Sequence, residues 1–224
     1  MLVLKSKQKI KVGIDSPSAA GAGTISKMIA QHYNLLYCDT GKIYRYLAKE
    51  LMRQKPKNKF FFLKKISKKI NLKKLGNKNL LDDKVAFIAS QIAKDLRVRK
   101  LVLRFQKNLA YRPPTSYNGS LLDGRDICSV VIKDADFKFY ITASAKIRAL
   151  RRYKELKKLG KRVKFDEIFE SMKKRDKEDR TRKHSKLKIT EESILINTSQ
   201  LSIKNSFLKV KKIMDRKLNL IWKK

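Results

Sequence analysis

The stretch Ile10–Thr24, IKVGIDSPSAAGAGT, decides how this chain is read. An apolar run ends in Asp15, small residues follow, and Gly21-Ala22-Gly23-Thr24 opens a helical pattern. With so little side-chain bulk, successive backbone N–H groups can converge on phosphate oxygens, and the helix behind them adds the positive end of its dipole. The full phosphate-loop pattern is G-x-x-x-x-G-K-[ST], in which the lysine reaches the outer phosphates and the hydroxyl holds Mg²⁺. Here Ser16 stands at the first glycine and Ala22 at the lysine, while Gly21, Gly23 and Thr24 remain. The stretch is a nucleotide site that either works without its lysine or has decayed.

Around it, short apolar runs alternate with helical patterns. Strands are expected at Lys11–Ile14, Leu35–Tyr37, Ser120–Leu122, Phe139–Ile141 and Ser193–Ile196. Most are continuously apolar rather than alternating, the mark of parallel strands covered on both faces. Helices are expected at Ile25–Tyr33, Ile43–Arg53, Val85–Ala110, Lys146–Leu159, Phe165–Lys177 and Ser202–Ile221. The alternation predicts an α/β fold with a parallel sheet and ligands at the carboxyl ends of the strands. The lysine- and asparagine-rich Lys55–Asp83 segment has weak periodicity and reads as a small insert or lid.

At 224 residues the chain fits one domain, with or without an insert, since a domain takes about 100–200 residues. Hydrophobic residues make up 42%, enough to bury a core. Cys38 and Cys128 lie too far apart in sequence for a zinc spacing or a disulfide framework, which fits a reduced, cytoplasmic setting. Two histidines make a protein-built metal centre a poor reading. No uncharged run approaches the roughly 18 residues of a membrane span, so no membrane is expected as a partner. The net charge of +37 fits either nucleic acid or small anionic substrates. The basic residues are spread over the whole chain, so nucleic acid is not required to explain them.

Three further stretches carry chemistry. Asp39-Thr40-Gly41-Lys42-Ile43-Tyr44-Arg45 puts a glycine turn and an arginine at a strand end, as an anion site or as a plain connection. Leu121-Leu122-Asp123-Gly124-Arg125-Asp126 ends a strand in an acid suited to positioning Mg²⁺, or makes a surface turn with a local salt bridge. Arg148, Arg151, Arg152 and Glu155 form one helical stripe, and Arg175, Asp179 and Arg182 another. Such stripes are commonly solvated faces. Arginine in a chain whose default cation is lysine favours phosphate recognition, because guanidinium forks bind phosphate oxygens bidentately.

In chain order, IDSPSAAGAGT, LLYCDTGKIYR, ASQIAKDLRVRK, LLDGRDICSVV, the arginine helix and KKRDKEDRTRK resemble bacterial cytidylate kinase. The resemblance runs from about Ile10 to Ser199. It implies a P-loop nucleoside monophosphate kinase-like fold, with a parallel five-stranded sheet flanked by helices, a shortened substrate-binding insert and an arginine-rich lid. It further implies a single kinase domain over 1–224, with core about 10–54 and 85–222, insert about 55–84 and lid about 148–183. The implied activity is ATP-dependent phosphorylation of CMP and dCMP by a cytoplasmic monomer, with Mg²⁺ accompanying ATP.

By the same resemblance, Ser16, Pro17, Ser18, Ala19, Ala20, Gly21, Ala22, Gly23 and Thr24 bind ATP, with Thr24 on the metal. Arg45, Arg125 and Arg182 clamp the CMP phosphate, and Thr40 also belongs to the CMP site. Ser90, Arg99 and Asp126 read cytosine, and Arg175 with Asp179 meets the ribose. Arg148, Arg151, Arg152 and Asp123 serve the transfer itself. The chain departs from the family at Ser16, Ala22, Cys128 and Ser129. The charge lost at Ala22 is expected from Lys42 or a lid arginine; Lys27 lies more than a helical turn further on. The alternative is a catalytically impaired relative that binds nucleotide or RNA.

Overall fold

The computed structural model describes residues 9–77, 80 and 82–222. The outer parts of the 1–224 domain and positions 78, 79 and 81 of the insert lie outside the described residues. Five strands, β1 (Ile10–Asp15), β2 (Leu35–Asp39), β3 (Gly119–Gly124), β4 (Phe137–Thr142) and β5 (Ile194–Asn197), form one sheet in the order β2-β3-β1-β4-β5. Every neighbouring pair is parallel. β1 is central: the chain leaves it for β2 and β3 on one side and for β4 and β5 on the other. Such a switch point opens a crevice at the carboxyl ends of the strands.

Neighbouring residues on a strand point to opposite faces, and here both faces are dry. Leu36 and Leu122 enter one core and Leu35 and Leu121 the other, which is why these strands read as unbroken apolar runs. The first core packs α2 (Gly41–Gln54), α3 (Lys59–Ser67), α4 (Leu72–Leu75), α5 (Asp83–Ile92) and α6 (Leu96–Tyr111) beside the sheet. The second holds α1 (Ala22–Tyr33) and α9 (Ile203–Trp222) against Val12, Ile14, Phe139 and Ile196. Two more helices, α7 (Ala145–Lys158) and α8 (Phe165–Thr181), pair with each other beyond β4.

The single helix expected over Val85–Ala110 is two. Asp95 adopts an extended conformation and its carboxylate accepts the N–H of Arg97, capping α6 and breaking the periodic run. The Lys55–Asp83 segment is more regular than its composition promised: Asn58 caps α3 and Asn71 caps α4 by accepting backbone N–H groups. Among the described residues, no helix is long and apolar enough to cross a membrane.

Candidate active site

The segment between β1 and α1 turns tightly over the sheet. Ser16 N–H donates to the Gly124 carbonyl at 3.1 Å, tying the start of the loop to the end of β3. Gly21, the N-cap of α1, has φ +87°, where glycine is at ease. Ala19 has φ +57° and does carry a Cβ. Ala19→Gly is therefore expected to raise stability by about 0.5–1 kcal/mol, read as a higher melting temperature; a lower one would refute the strain.

Donors draw the carbonyls of this loop outward. The Ala20 carbonyl accepts from Thr198 Oγ1 at 3.0 Å and Arg151 Nη1 at 3.3 Å, and the Ser18 carbonyl from Arg148 Nη1 at 3.2 Å. Arg125 Nη2 donates to Ser18 Oγ at 3.0 Å. The first N–H groups of α1 have no partner within the helix, and Thr24 is exposed in that first turn. The loop presents N–H groups and a hydroxyl, the surface a polyphosphate needs.

Beside it, β2 and β3 end in register at Asp39 and Asp123. Asp123 accepts from Tyr37 Oη at 2.9 Å, and a Cβ on Gly23 would stand 3.7 Å from its Oδ2. Burial, then the charge of Asp39, pushes the Asp123 carboxyl up to about 7. Two carboxylates under an open helix N-terminus, one reluctant to ionise, are the oxygen donors that a hard divalent cation relieves.

Opposite the loop lies a crowd of guanidinium groups. Asp179 holds two of them, Arg125 through Nε at 3.1 Å and Arg182 through Nη1 at 3.2 Å. Burial and then Arg125 lower the pKa of Arg175 to about 10, and Arg45 adds to the repulsion. Arg182 is lowered by burial and then by Arg99, and its Nη2 is buried without a hydrogen-bond partner. Positive charge gathered here beyond what Asp179 balances suits an anionic ligand.

The neighbouring pair is self-compensated. Arg99 Nη2 meets Asp126 Oδ2 at 2.5 Å, both residues buried, with the Tyr44 ring against the guanidinium. Asp126 stands at the mouth of a wide turn, Ile127–Val131, clamped from β1: Asp15 accepts the N–H of Ile127 at 2.7 Å and of Cys128 at 2.9 Å. Burial raises Asp15 to about 6 even so, and the charge of Asp126 adds to the rise.

A family model for cytidylate kinase matches residues 12–216. The chain belongs to the cytidylate kinase family. The cytidylate kinase of Bartonella tribocorum is 40% identical over 202 residues, covering 88% of this chain and 90% of that protein. That of Agrobacterium fabrum is 39% identical over 208 residues, covering 92% and 97%. A solved structure of an uncharacterized protein from Eubacterium ventriosum shares the fold, with TM-score 0.53 and 16% identity over 92% of this chain and 99% of that one.

Several of the residues that the cytidylate kinase resemblance singled out are tied to one another or to the loop, with partners that sequence spacing did not give. Arg125 and Asp126 make no local salt bridge; they reach Asp179 and Arg99 instead. Thr40 is buried, donating through its N–H and Oγ1 to the Asp123 carbonyl. Ser90 is half-buried and donates to the Phe87 carbonyl. Arg45 donates to the Leu80 carbonyl.

The arginines of α7 share one helical stripe but go to different partners. Arg148 is buried on Asp176 at 2.5 Å, Arg151 is held by the Thr198 carbonyl at 2.7 Å, and Arg152 lies at 3.0 Å from Glu155. Asp15, Tyr37, Asp176 and Thr198 escaped the sequence reading. The one local hint was Asp176 beside Arg175 in a run of alternating charge.

Proposed function

We infer that this chain transfers the terminal phosphoryl group of ATP to CMP and dCMP. The observation that carries the reading is the crowd of arginines facing an N–H-rich phosphate loop, with a buried acid–arginine pair at its far end. The first two features suit two phosphate groups meeting, and the third suits a base edge.

Arg45, Arg125 and Arg182 hold the acceptor phosphate. Arg175 and Asp179 stand toward the ribose. The Asp126 carboxylate accepts from the exocyclic N4–H₂ of cytosine while Arg99 and Ser90 serve the ring edge. Uracil offers an acceptor where cytosine offers that donor, so UMP meets carboxylate against carbonyl. The acceptor phosphate is already an anion at neutral pH, so no strong general base is required, and the work is positioning and charge neutralisation.

Ser16–Thr24 receives the donor phosphates on backbone N–H groups. Arg148, Arg151 and Arg152 line the donor side, and α7 with α8 forms the lid, about 148–183, over a core of about 10–54 and 85–222. The insert, about 55–84, flanks the acceptor side. The residues fit Mg²⁺: Thr24 with Asp123, and Asp39 beside it, would hold the ion or its waters. There it would neutralise charge on the donor phosphates. In this reading the enzyme acts as a monomer in the cytoplasm.

ADP formation with Mg-ATP is the test, with CMP, dCMP, UMP and AMP as acceptors. Turnover selective for the cytidine nucleotides is expected. Equal turnover of CMP and UMP would overturn the base assignment, and no turnover with any acceptor would overturn the kinase reading.

A further inference from the structure

The phosphate loop lacks a lysine at Ala22, and the cations named to replace it are not equally placed. Arg148 is buried and committed to Asp176, to the Ala143 carbonyl and to the Ser18 carbonyl. Arg151 spends its two terminal nitrogens on Thr198 and Ala20. Arg152 is engaged with Glu155. Lys27 is exposed, one turn along α1. Lys42 is half-buried in the first turn of α2 and makes no hydrogen bond or ion pair with any described residue.

Its position is awkward for stability. A cation in the first turn of a helix opposes the helix dipole, and here no acidic residue of that turn offsets it. The Thr40 cap makes no side-chain bond to the turn either, because its hydroxyl is used on the Asp123 carbonyl. The N-terminus of α2 thus gathers positive charge, and the acid nearest it is Asp39, whose Oδ1 would stand 3.1 Å from a Cβ on Gly41.

This end of α2 adjoins the phosphate loop. Asp123 links the two: its Oδ2 approaches Gly23 from one side, while its carbonyl accepts from Thr40 on the other. The approach is close enough that a Cβ on Gly124 would stand 2.5 Å from Thr40 Oγ1. Lys42, on its flexible four-carbon stem, follows by two residues the Thr40 that is tied to Asp123.

We propose that Lys42 supplies, from α2, the cationic contact to the transferring and outer phosphates that the phosphate loop cannot supply from Ala22. Loss and gain are one exchange: the charge has moved from the helix behind the loop to the helix across Asp123. Lys42 also lies one turn before Arg45, so a single helix brings cations to both the donor and the acceptor phosphate. The proposal rests on the kinase reading.

Three variants test it, with the unmodified chain measured first on Mg-ATP and CMP. Lys42→Ala is expected to lower kcat by about 30- to 1,000-fold with the KM for CMP little changed and the melting temperature unchanged or slightly raised. Lys42→Arg is expected to keep part of the activity. Ala22→Lys placed on Lys42→Ala is expected to recover at least about tenfold of the loss. Turnover by Lys42→Ala within about threefold of the unmodified chain would overturn the proposal and leave the kinase reading intact. A loss that Ala22→Lys does not recover would overturn it as well, because Lys42 would then be acting structurally. No turnover by the unmodified chain would instead remove the kinase reading, and this proposal with it.

Discussion

Asp126→Asn is expected to lower kcat/KM for CMP by about 10²–10⁴-fold and to reduce the preference for CMP over UMP by at least about 100-fold. The reason is the direction of one hydrogen bond. As a carboxylate, Asp126 can only accept, which matches the amino group of cytosine and opposes the carbonyl of uracil. An asparagine can turn its amide so that the N–H₂ meets that carbonyl, so the penalty against UMP goes first. The variant should still fold. Its carbonyl oxygen can keep the Arg99 contact, and Arg99 has a second anchor in the Ala93 carbonyl and a third in the Tyr44 ring. Some stability is lost, about 1–3 kcal/mol, because a buried guanidinium gives up its counter-charge. Steady-state rates with CMP and UMP decide the matter. An unchanged ratio would remove Asp126 from base recognition, whatever happened to the absolute rates.

The same residue shows how far a sequence can be read. The strands and the phosphate loop are local facts: Val12 and Ile14 in one strand and Leu121 and Leu122 in another are apolar, and a tight small-residue turn follows the first. The apolar runs and the small-residue turn set the fold class. Partnerships are not local. Spacing along one helix put Arg148, Arg151 and Arg152 on a stripe, but α7 lies between the phosphate loop and α8, so the three point to three different anchors.

Likewise, Arg175, Asp179 and Arg182 were spaced for one helix face. Yet α8 ends at Thr181, and Arg182 reaches Asp179 from beyond the helix end. The break between α5 and α6 turned on one capping carboxylate, Asp95, inside a pattern that stays periodic across it. Asp15 reads as the last residue of a strand, and nothing nearby in sequence says that it grips backbone more than a hundred residues away. Charges and periodicity belong to single elements, whereas a site is made between elements.

Asp123→Asn separates stability from activity. Burial and Asp39 raise the Asp123 carboxyl from its ordinary value near 3.8 to about 7 in the folded chain. A carboxyl whose folded pKa lies above its unfolded one binds its proton more tightly when folded. Its ionisation therefore costs nothing below about pH 4, and the cost grows as pH rises and is complete above about pH 7. At 1.36 kcal/mol per pKa unit the full cost is about 4 kcal/mol. Asparagine does not ionise, and its oxygen can still accept from Tyr37. The variant is therefore expected to melt about 5 °C or more above the unmodified protein at pH 8, and the gain should shrink to nothing near pH 4. Activity goes the other way. Without the charge that faces the donor phosphates and their cation, kcat with Mg-ATP and CMP is expected to fall by about 100-fold or more. Mg-ATP should also raise the melting temperature of the variant less than that of the unmodified chain. A variant no more stable at pH 8 than at pH 4, relative to the unmodified chain, would show that Asp123 is not held above its ordinary range. A variant that was stabilised and fully active would show that the strain serves no purpose in the transfer. The expected pair of results fits a site kept in tension: two acids and a crowd of arginines on opposite walls, each costly alone and neutralised together when nucleotide and metal fill the space between them.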